Sequence, residues 1–423
     1  MSSNNTNGGG CLLWIINTLV DIFNNRRIEK RNKQSRGLEE YLSVPVDVLF
    51  PAESLQENII ISGGDTGVRH RFSEQLLRTG FIQDHPIILL HQGNGGIEST
   101  IARNNWGVVV NKRSLLFDAF TSFDLQEICQ LVFDTCKAKY DIKPGGRYIL
   151  QIVYELLACR KLRPYFAGYA RFTYHQIPER INECLTKGLI TQDKADNLNS
   201  LHMMGQSECA KIDTFFYDMK AQMSHIAADK PSVTSGSGIS ILSAIKNKKI
   251  LCIELNSSAN TMLVELIVNS LTIAMNRGYQ FSLFLDDIAI TNNDLLKNAL
   301  CQKSNHNNII CTKDLYALLG GNENVFTTLC GEAEKTVLLS HGSHLSCEKW
   351  SKYIGEYDKI DVSRNTNAGW GKGSAWSYNT NQGQTTKDVR EYKVKPEQIN
   401  RLSADEVFVY DNQTGSLMQT RVG

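Results

Sequence analysis

Two neighbouring acids and a run of cations are the residues in this chain best placed to do chemistry. The stretch "FSLFLDDIAI", residues 281–290, reads as an apolar strand in which four of the five residues before Asp286 are apolar and Asp287 follows. A buried strand of this kind delivers an aspartate to the carboxyl edge of a sheet. There Asp286 could hold Mg²⁺ through water, and the next acid could orient an attacking water. Asp287 is one methylene shorter than the glutamate usual for that second task, which strains the role. The cations lie in "ISGGDTGVRHRFSEQLL", residues 61–77. Strand, glycine-rich turn and helix are the parts of a phosphate-binding loop of pattern GxxxxGK[ST]. Gly64 and Gly67 fit the spacing. Arg69 takes the place of the last glycine, His70 that of the lysine and Arg71 that of the Ser/Thr.

Each replacement has a physical cost. A Cβ at Arg69 obstructs the backbone curl round a phosphate wherever that curl needs positive φ. His70 is shorter than lysine and carries no fixed charge. Arg71 has no acceptor to offer a metal ion. Arg69 and Arg71 could still grip phosphate oxygens, because guanidinium matches their geometry. The residues therefore leave three readings open: a turn that only links strand to helix, an anion site, and a surviving ATP/Mg²⁺ site with Asp286 as metal ligand.

Other candidates carry less. "HQGNGG" (91–96) has glycines after a strand but no lysine and no capping pattern, and reads as a loop. "SHGSHLS" (340–346) holds two histidines but no acid placed for a triad and no metal-ligand spacing. Trp370, Lys372, Trp376 and Tyr378 mix aromatics with a base, the residue types that stack on single-stranded nucleic acid or dock a flexible loop on a partner.

These residues need a scaffold. The chain has 423 residues, which suggests two domains and a tail, and 42% hydrophobic residues, enough for a real core. With 45 Lys+Arg against 44 Asp+Glu, global charge points to neither nucleic acid nor membrane. The 11 cysteines are scattered without a CxxC, and several sit in apolar runs, as Cys159 and Cys252 do. They read as buried thiols in a reducing compartment.

Residues 1–40 read as a tail with one short apolar helix, 11–23, and a basic segment up to Arg36. Thirteen helical residues span about 20 Å, short of a bilayer core of about 30 Å. An apolar helix beside a polybasic run can lie on an anionic membrane surface; docking on another domain is the competing reading. Strand candidates 58–62, 86–91 and 106–111, with a helix from Phe72, give a βαβ rhythm over 41–123. Residues 124–230 are helical in pattern throughout, an all-helical insertion. The linker 229–238 closes it, and strand patterns resume at 249–255, 281–290, 307–312, 336–341 and 406–411 within 231–423. The Gly/Asn/Ser/Thr-rich segment 363–387 reads as a mobile loop.

The order of these parts resembles the type IV secretion and conjugation coupling proteins, the TraG/TraD kind, in the FtsK/HerA-like branch of RecA-fold P-loop ATPases. The resemblance runs from about residue 45 to the C-terminus. "SKYIGEYDKID" and the closing "KPEQINRLSADEVFVYD" carry it best. It implies an α/β RecA-like domain with a mainly parallel sheet and an inserted helical domain. It also implies hexamers at the bacterial inner membrane and ATP-driven DNA transfer. Gly64 and Gly67 match the family's phosphate loop and Asp286 its metal-binding aspartate. His70, Arg71 and Asp287 depart from it, and only the run 11–23 stands where paired membrane helices are usual. The sequence thus suggests a cytoplasmic, peripherally membrane-associated subunit with a degenerate nucleotide site, acting alone or with an intact paralogous ATPase. An active DNA-translocating ATPase and a non-enzymatic scaffold using the helical domain are the alternatives. Arg364 and Arg390 are equal candidates for an arginine finger.

Overall fold

The computed structural model describes residues 8–136, 139–227, 238–256, 260–289, 294–301, 305–371 and 377–422. Of residues 8–18, 21, 295, 364–371 and 377–384 it describes the backbone alone. In chain order the strands are β1 (Leu38–Glu40), β2 (Ile59–Ser62), β3 (Ile87–His91), β4 (Gly107–Val110), β5 (Ile250–Glu254) and β6 (Phe281–Asp286). There follow β7 (His306–Thr312), β8 (Lys335–Leu338), β9 (Glu356–Gly371), β10 (Ser377–Tyr392), β11 (Glu406–Asp411) and β12 (Leu417–Arg421). The chain divides into two compact units, residues 44–337 and residues 1–43 with 338–422. The helical segment 124–230 lies within the unit 44–337.

In the unit 44–337 the strands run in the order β8-β2-β7-β6-β3-β5-β4. The pairs β2/β7, β6/β7, β3/β6, β3/β5 and β4/β5 are all parallel, as the α/β expectation requires. Strands covered on both faces read as continuous apolar runs. Ile59, Ile60 and Ile61, Ile87 to Leu90, and Leu251 to Ile253 are at most 2% exposed. Register places His91 opposite Asp286, Asp286 opposite Cys311 and Ser62 opposite Thr312, so the carboxyl ends of four strands finish at one level.

Between β4 and β5 the described chain consists of helices and connecting turns with two isolated bridges, Leu116 with Ala227 and Phe117 with Ile239. Five helices of ten or more residues cover it: Leu125–Cys136, Gly146–Cys159, Ile177–Thr186, Gln192–Gly205 and Cys209–Met223. The fourth has a weakly patterned, polar sequence, and its start is fixed by the Thr191 side chain accepting from Lys194 N. The aromatic residues here are core: Phe216 lies within 6.1 Å, centroid to centroid, of Phe120, Phe166, Tyr169, Tyr174 and Phe215. The expected linker 229–238 lies, except for Gly238, outside the described residues.

The other unit pairs β1 with β12 in parallel and β11 with β12 antiparallel. Its first helix is not the short one expected but a continuous Gly8–Arg36. The basic segment extends the apolar run because Arg, Lys, Glu and Gln are good helix formers. Its end is pinned: Asn32 exchanges two bonds with Ile360, and Arg36 donates to Lys393 O and Gln398 Oε1. Leu19, Val20, Ile22 and Phe23 are exposed on it. No described helix is long and apolar enough to cross a membrane.

Within the segment expected as a loop, 363–387, the described residues 363–371 and 377–387 are instead the outer part of an antiparallel strand pair. β9 and β10 pair from Glu356–Tyr392 out to Gly371–Ser377. A two-stranded ribbon needs cross-strand pairing, not an apolar face, so no hydrophobic alternation announced it. Lys372 and Trp376, and the side chains of Trp370, Tyr378 and Arg364, lie outside the described residues. Arg390 is exposed, 3.7 Å from Asp358.

Candidate functional site

The first glycine-rich turn begins where β2 ends at Ser62. Gly63 and Gly64 take φ of +104° and +64°, which glycine alone adopts freely. The helix then starts at Thr66, inside the span that GxxxxGK[ST] would keep as an open loop. Only residues 63–65 separate strand from helix. Asp65 is the N-cap, and its carboxylate accepts from Val68 N at 2.9 Å. An acid in that place satisfies an end amide and suits the positive end of the helix dipole. Its negative charge at the helix start disfavours a second anion there.

Arg69 completes the closure. Its side chain is 3% exposed. Nη1 donates to Gly63 O at 3.2 Å and Gly64 O at 2.8 Å, and Nη2 meets Asp287 Oδ2 at 2.7 Å. The guanidinium is turned inward, onto the carbonyls of its own turn. His70 Nε2 lies 3.2 Å from Thr100 Oγ1 on the helix Gly95–Asn104. Arg71 is exposed. Gly67 is helical, and a Cβ there would stand 3.3 Å from Asp65 Oδ1.

The acids at the end of β6 are equally engaged. Asp286 is 3% exposed, and Asn94 Nδ2 donates to its Oδ2 at 2.5 Å. Burial pushes its carboxyl above the usual aspartate range; the Asn94 bond opposes this and the Asp287 charge adds to it. Asp287 has φ +51° and accepts from Lys313 N at 2.9 Å as well as from Arg69. A third layer lies behind. His91 Nδ1 accepts from Asn94 N at 3.2 Å, which leaves its proton on Nε2, 3.2 Å from Glu98 Oε1. Burial raises the Glu98 pKa, but His91, Asn111 and Arg113 more than offset it, and the net shift is downward.

The structure thus brings Gly64, Arg69, Asp286 and Asp287 together, with His70 one helix face away and Arg71 outside. The stretch 91–96, expected as a loop, is corrected: Asn94 caps the helix Gly95–Asn104, accepting from Ile97 N at 3.2 Å. Two glycines at its start hid a helix whose signal was the Asn itself. Sequence reasoning also missed Gly63, Asp65, Asn94 and the His91–Glu98 pair. His341 and Cys347 in the "SHGSHLS" region are buried, and Ser343 caps the helix His344–Ile354. No described group of three or more metal-ligating side chains could hold a metal ion.

These residues do not fit a triphosphate and its Mg²⁺. The Asp65 carboxylate sits at the helix start where an anion would bind favourably, the Arg69 guanidinium is held by carbonyls and Asp287, and an exposed arginine stands at the Ser/Thr position of the pattern.

No family model matches the sequence, and no curated protein matches it. Solved structures do. The bacterial conjugative coupling protein TrwBdeltaN70, unbound, is 14% identical with a TM-score of 0.50, over 90% of this chain and 88% of that one. Plasmid coupling protein TrwB in complex with ADP and Mg²⁺ is 13% identical, TM-score 0.50, over 93% and 92%. The same protein with a non-hydrolysable ATP analogue gives the same values.

Proposed function

We infer the function from the scaffold, the α/β fold this chain shares with the plasmid coupling protein TrwB, a RecA-like P-loop architecture with a mostly parallel sheet. We propose that the chain works on that scaffold as a coupling-protein-like subunit in conjugative DNA transfer or type IV secretion, with its own nucleotide site out of use. It serves as an accessory subunit that assembles with itself or with an intact paralogous ATPase, whose phosphate loop supplies the hydrolysis. One observation carries the reading. The turn that would cradle phosphate is filled from within, by the Asp65 carboxylate at the helix start and the Arg69 guanidinium bonded to Gly63, Gly64 and Asp287. The long first helix supports a position at the bacterial inner membrane. Exposed Leu19, Val20, Ile22 and Phe23 precede Arg26, Arg27, Lys30 and Arg31 on it, a pairing of apolar and basic residues suited to an anionic surface.

The test is steady-state hydrolysis of MgATP by the purified chain, with and without single-stranded DNA. The expected result is no turnover above the protein-free rate. Turnover that disappears in Asp286→Ala would overturn the reading and make this chain a motor.

A further inference from the structure

A sizeable cleft in the unit 44–337 lies away from the turn. It measures about 650 Å³ and lies where the chain leaves β4 and enters the helical segment. That volume falls within the range of about 300–1,000 Å³ typical of small-molecule sites. We propose that this cleft binds a free nucleoside phosphate, independently of the turn at 63–71, which contributes no residue to it.

Charge is the first argument. Arg163 and Lys249 line the cleft and no carboxylate does. Among the described residues neither cation forms an ion pair. Nearby cations do: Arg160 is held by Glu183, Lys194 by Glu155 and Arg277 by Glu127. Two uncompensated cations facing one open volume select an anion. An arginine fork with a lysine point charge is a combination suited to phosphate oxygens.

Shape and chemistry narrow the class. Tyr154 and Tyr165 present half-buried aromatic rings to the same volume, and Asn247 and Ser122 add neutral hydrogen-bonding groups. A phosphate for the cations, a flat ring for the tyrosines and edge polar atoms for the amide describe a nucleotide.

The walls are preformed. Asp118 is 7% exposed, and its Oδ1 accepts from Phe120 N and Thr121 N on one wall. Phe166 N, next to Tyr165 on the other wall, donates to both Asp118 oxygens, at 3.3 and 3.1 Å. One buried carboxylate therefore fixes both sides. Ser240 Oγ donates to Thr121 O at 2.5 Å and Lys246 Nζ to Ser122 O at 3.3 Å, which tie the same wall to the helix before β5. At Gly238 a Cβ would come within 2.6 Å of Asp118 Cβ, so this close approach requires glycine.

The experiment is calorimetric titration of the full chain with AMP and ADP without Mg²⁺, beside the charge reversal Arg163→Glu/Lys249→Glu and beside oligothymidylate. Both substituted residues are exposed, so the fold survives, and a thermal melt verifies it. The expected result is one site for AMP, weakened about tenfold or more by the double reversal. Photolabelling with 8-azido-AMP should then mark the segments around Tyr154 and Tyr165. Failure of AMP and ADP to bind, binding indifferent to the reversal, or label in residues 59–71 would overturn the proposal. So would binding of oligothymidylate with no binding of the mononucleotides, which would assign the cleft to a DNA strand. Hydrolysis at the turn is read separately, by Mg²⁺-dependent turnover, so neither result decides the other.

Discussion

The turn at 63–71 and the cleft beside β4 hold the same kind of cation in opposite states. At the turn, Arg69 is buried and every strong acceptor near it is one the chain supplies itself. In the cleft, Arg163 and Lys249 face solvent across a space that no acid enters. A guanidinium satisfied by its own backbone has no reason to wait for a ligand. A guanidinium that lines an open cleft together with a lysine and no acid is still available to one. A motif's position in the sequence is therefore a weaker guide to ligand binding than the state of the charges around it.

Three substitutions separate the two regions. The largest effect belongs to Asp118→Ala. Three backbone amides lose an acceptor, each at about 1–3 kcal/mol, so unfolding should become easier by at least about 3 kcal/mol by urea titration. AMP binding should go with it, while Asp118→Asn, which keeps an acceptor, should recover part of both. Retained stability in Asp118→Ala would show that the walls are held otherwise.

Arg69→Ala comes next. It strands Asp287, but that carboxylate is 36% exposed, so the loss should be about 1–3 kcal/mol rather than the full cost of a buried pair. Arg69→Lys should rescue little, since one ammonium cannot span the two carbonyls and the carboxylate. Binding in the cleft should be unchanged.

Asp286→Asn gives the smallest change and the sharpest sign. The Asp286 pKa is raised in the fold by burial, so the folded state disfavours its ionised form. That cost is absent below the unfolded value, sets in as pH climbs towards the folded value, and is complete above it. The amide should therefore melt higher than the natural chain at pH 7, by about 1–3 °C, with no difference below about pH 4. A lower melting point at pH 7 would mean that the carboxylate is needed charged, as a metal-binding aspartate would be.

Much of the sheet was legible because its strands are buried on both faces. "NIII", "IILL" and "LFL" admit few other readings once glycine or asparagine bounds them. β1, β12 and the β9/β10 pair were not, because their stability comes from partners far away in sequence. Asp286 and Asp287 were legible as a pair, but their engagement was not. Asn94, which holds Asp286, sits 192 residues away, and Arg69, which holds Asp287, sits 218 away. Asp65 could have been found, since an aspartate just before a helical pattern is a standard N-cap signal. The phosphate-loop template placed that residue in the loop instead. The cleft had no sequence signal, because Arg163 and Lys249 belong to separate elements that only the folded chain brings together.

The Asp65-capped helix start also bears on how such a site can change over time. His70→Lys alone leaves the acid at the helix end. Arg69→Gly alone strands Asp287 and opens a hole under the turn. Asp65→Ser alone frees an amide while the guanidinium still fills the space. Each single substitution costs stability or leaves the turn filled, so opening this turn to a ligand takes several coordinated changes. The turn thus behaves as a latch whose parts hold one another: no one residue can be exchanged for a ligand-binding one without loosening the rest.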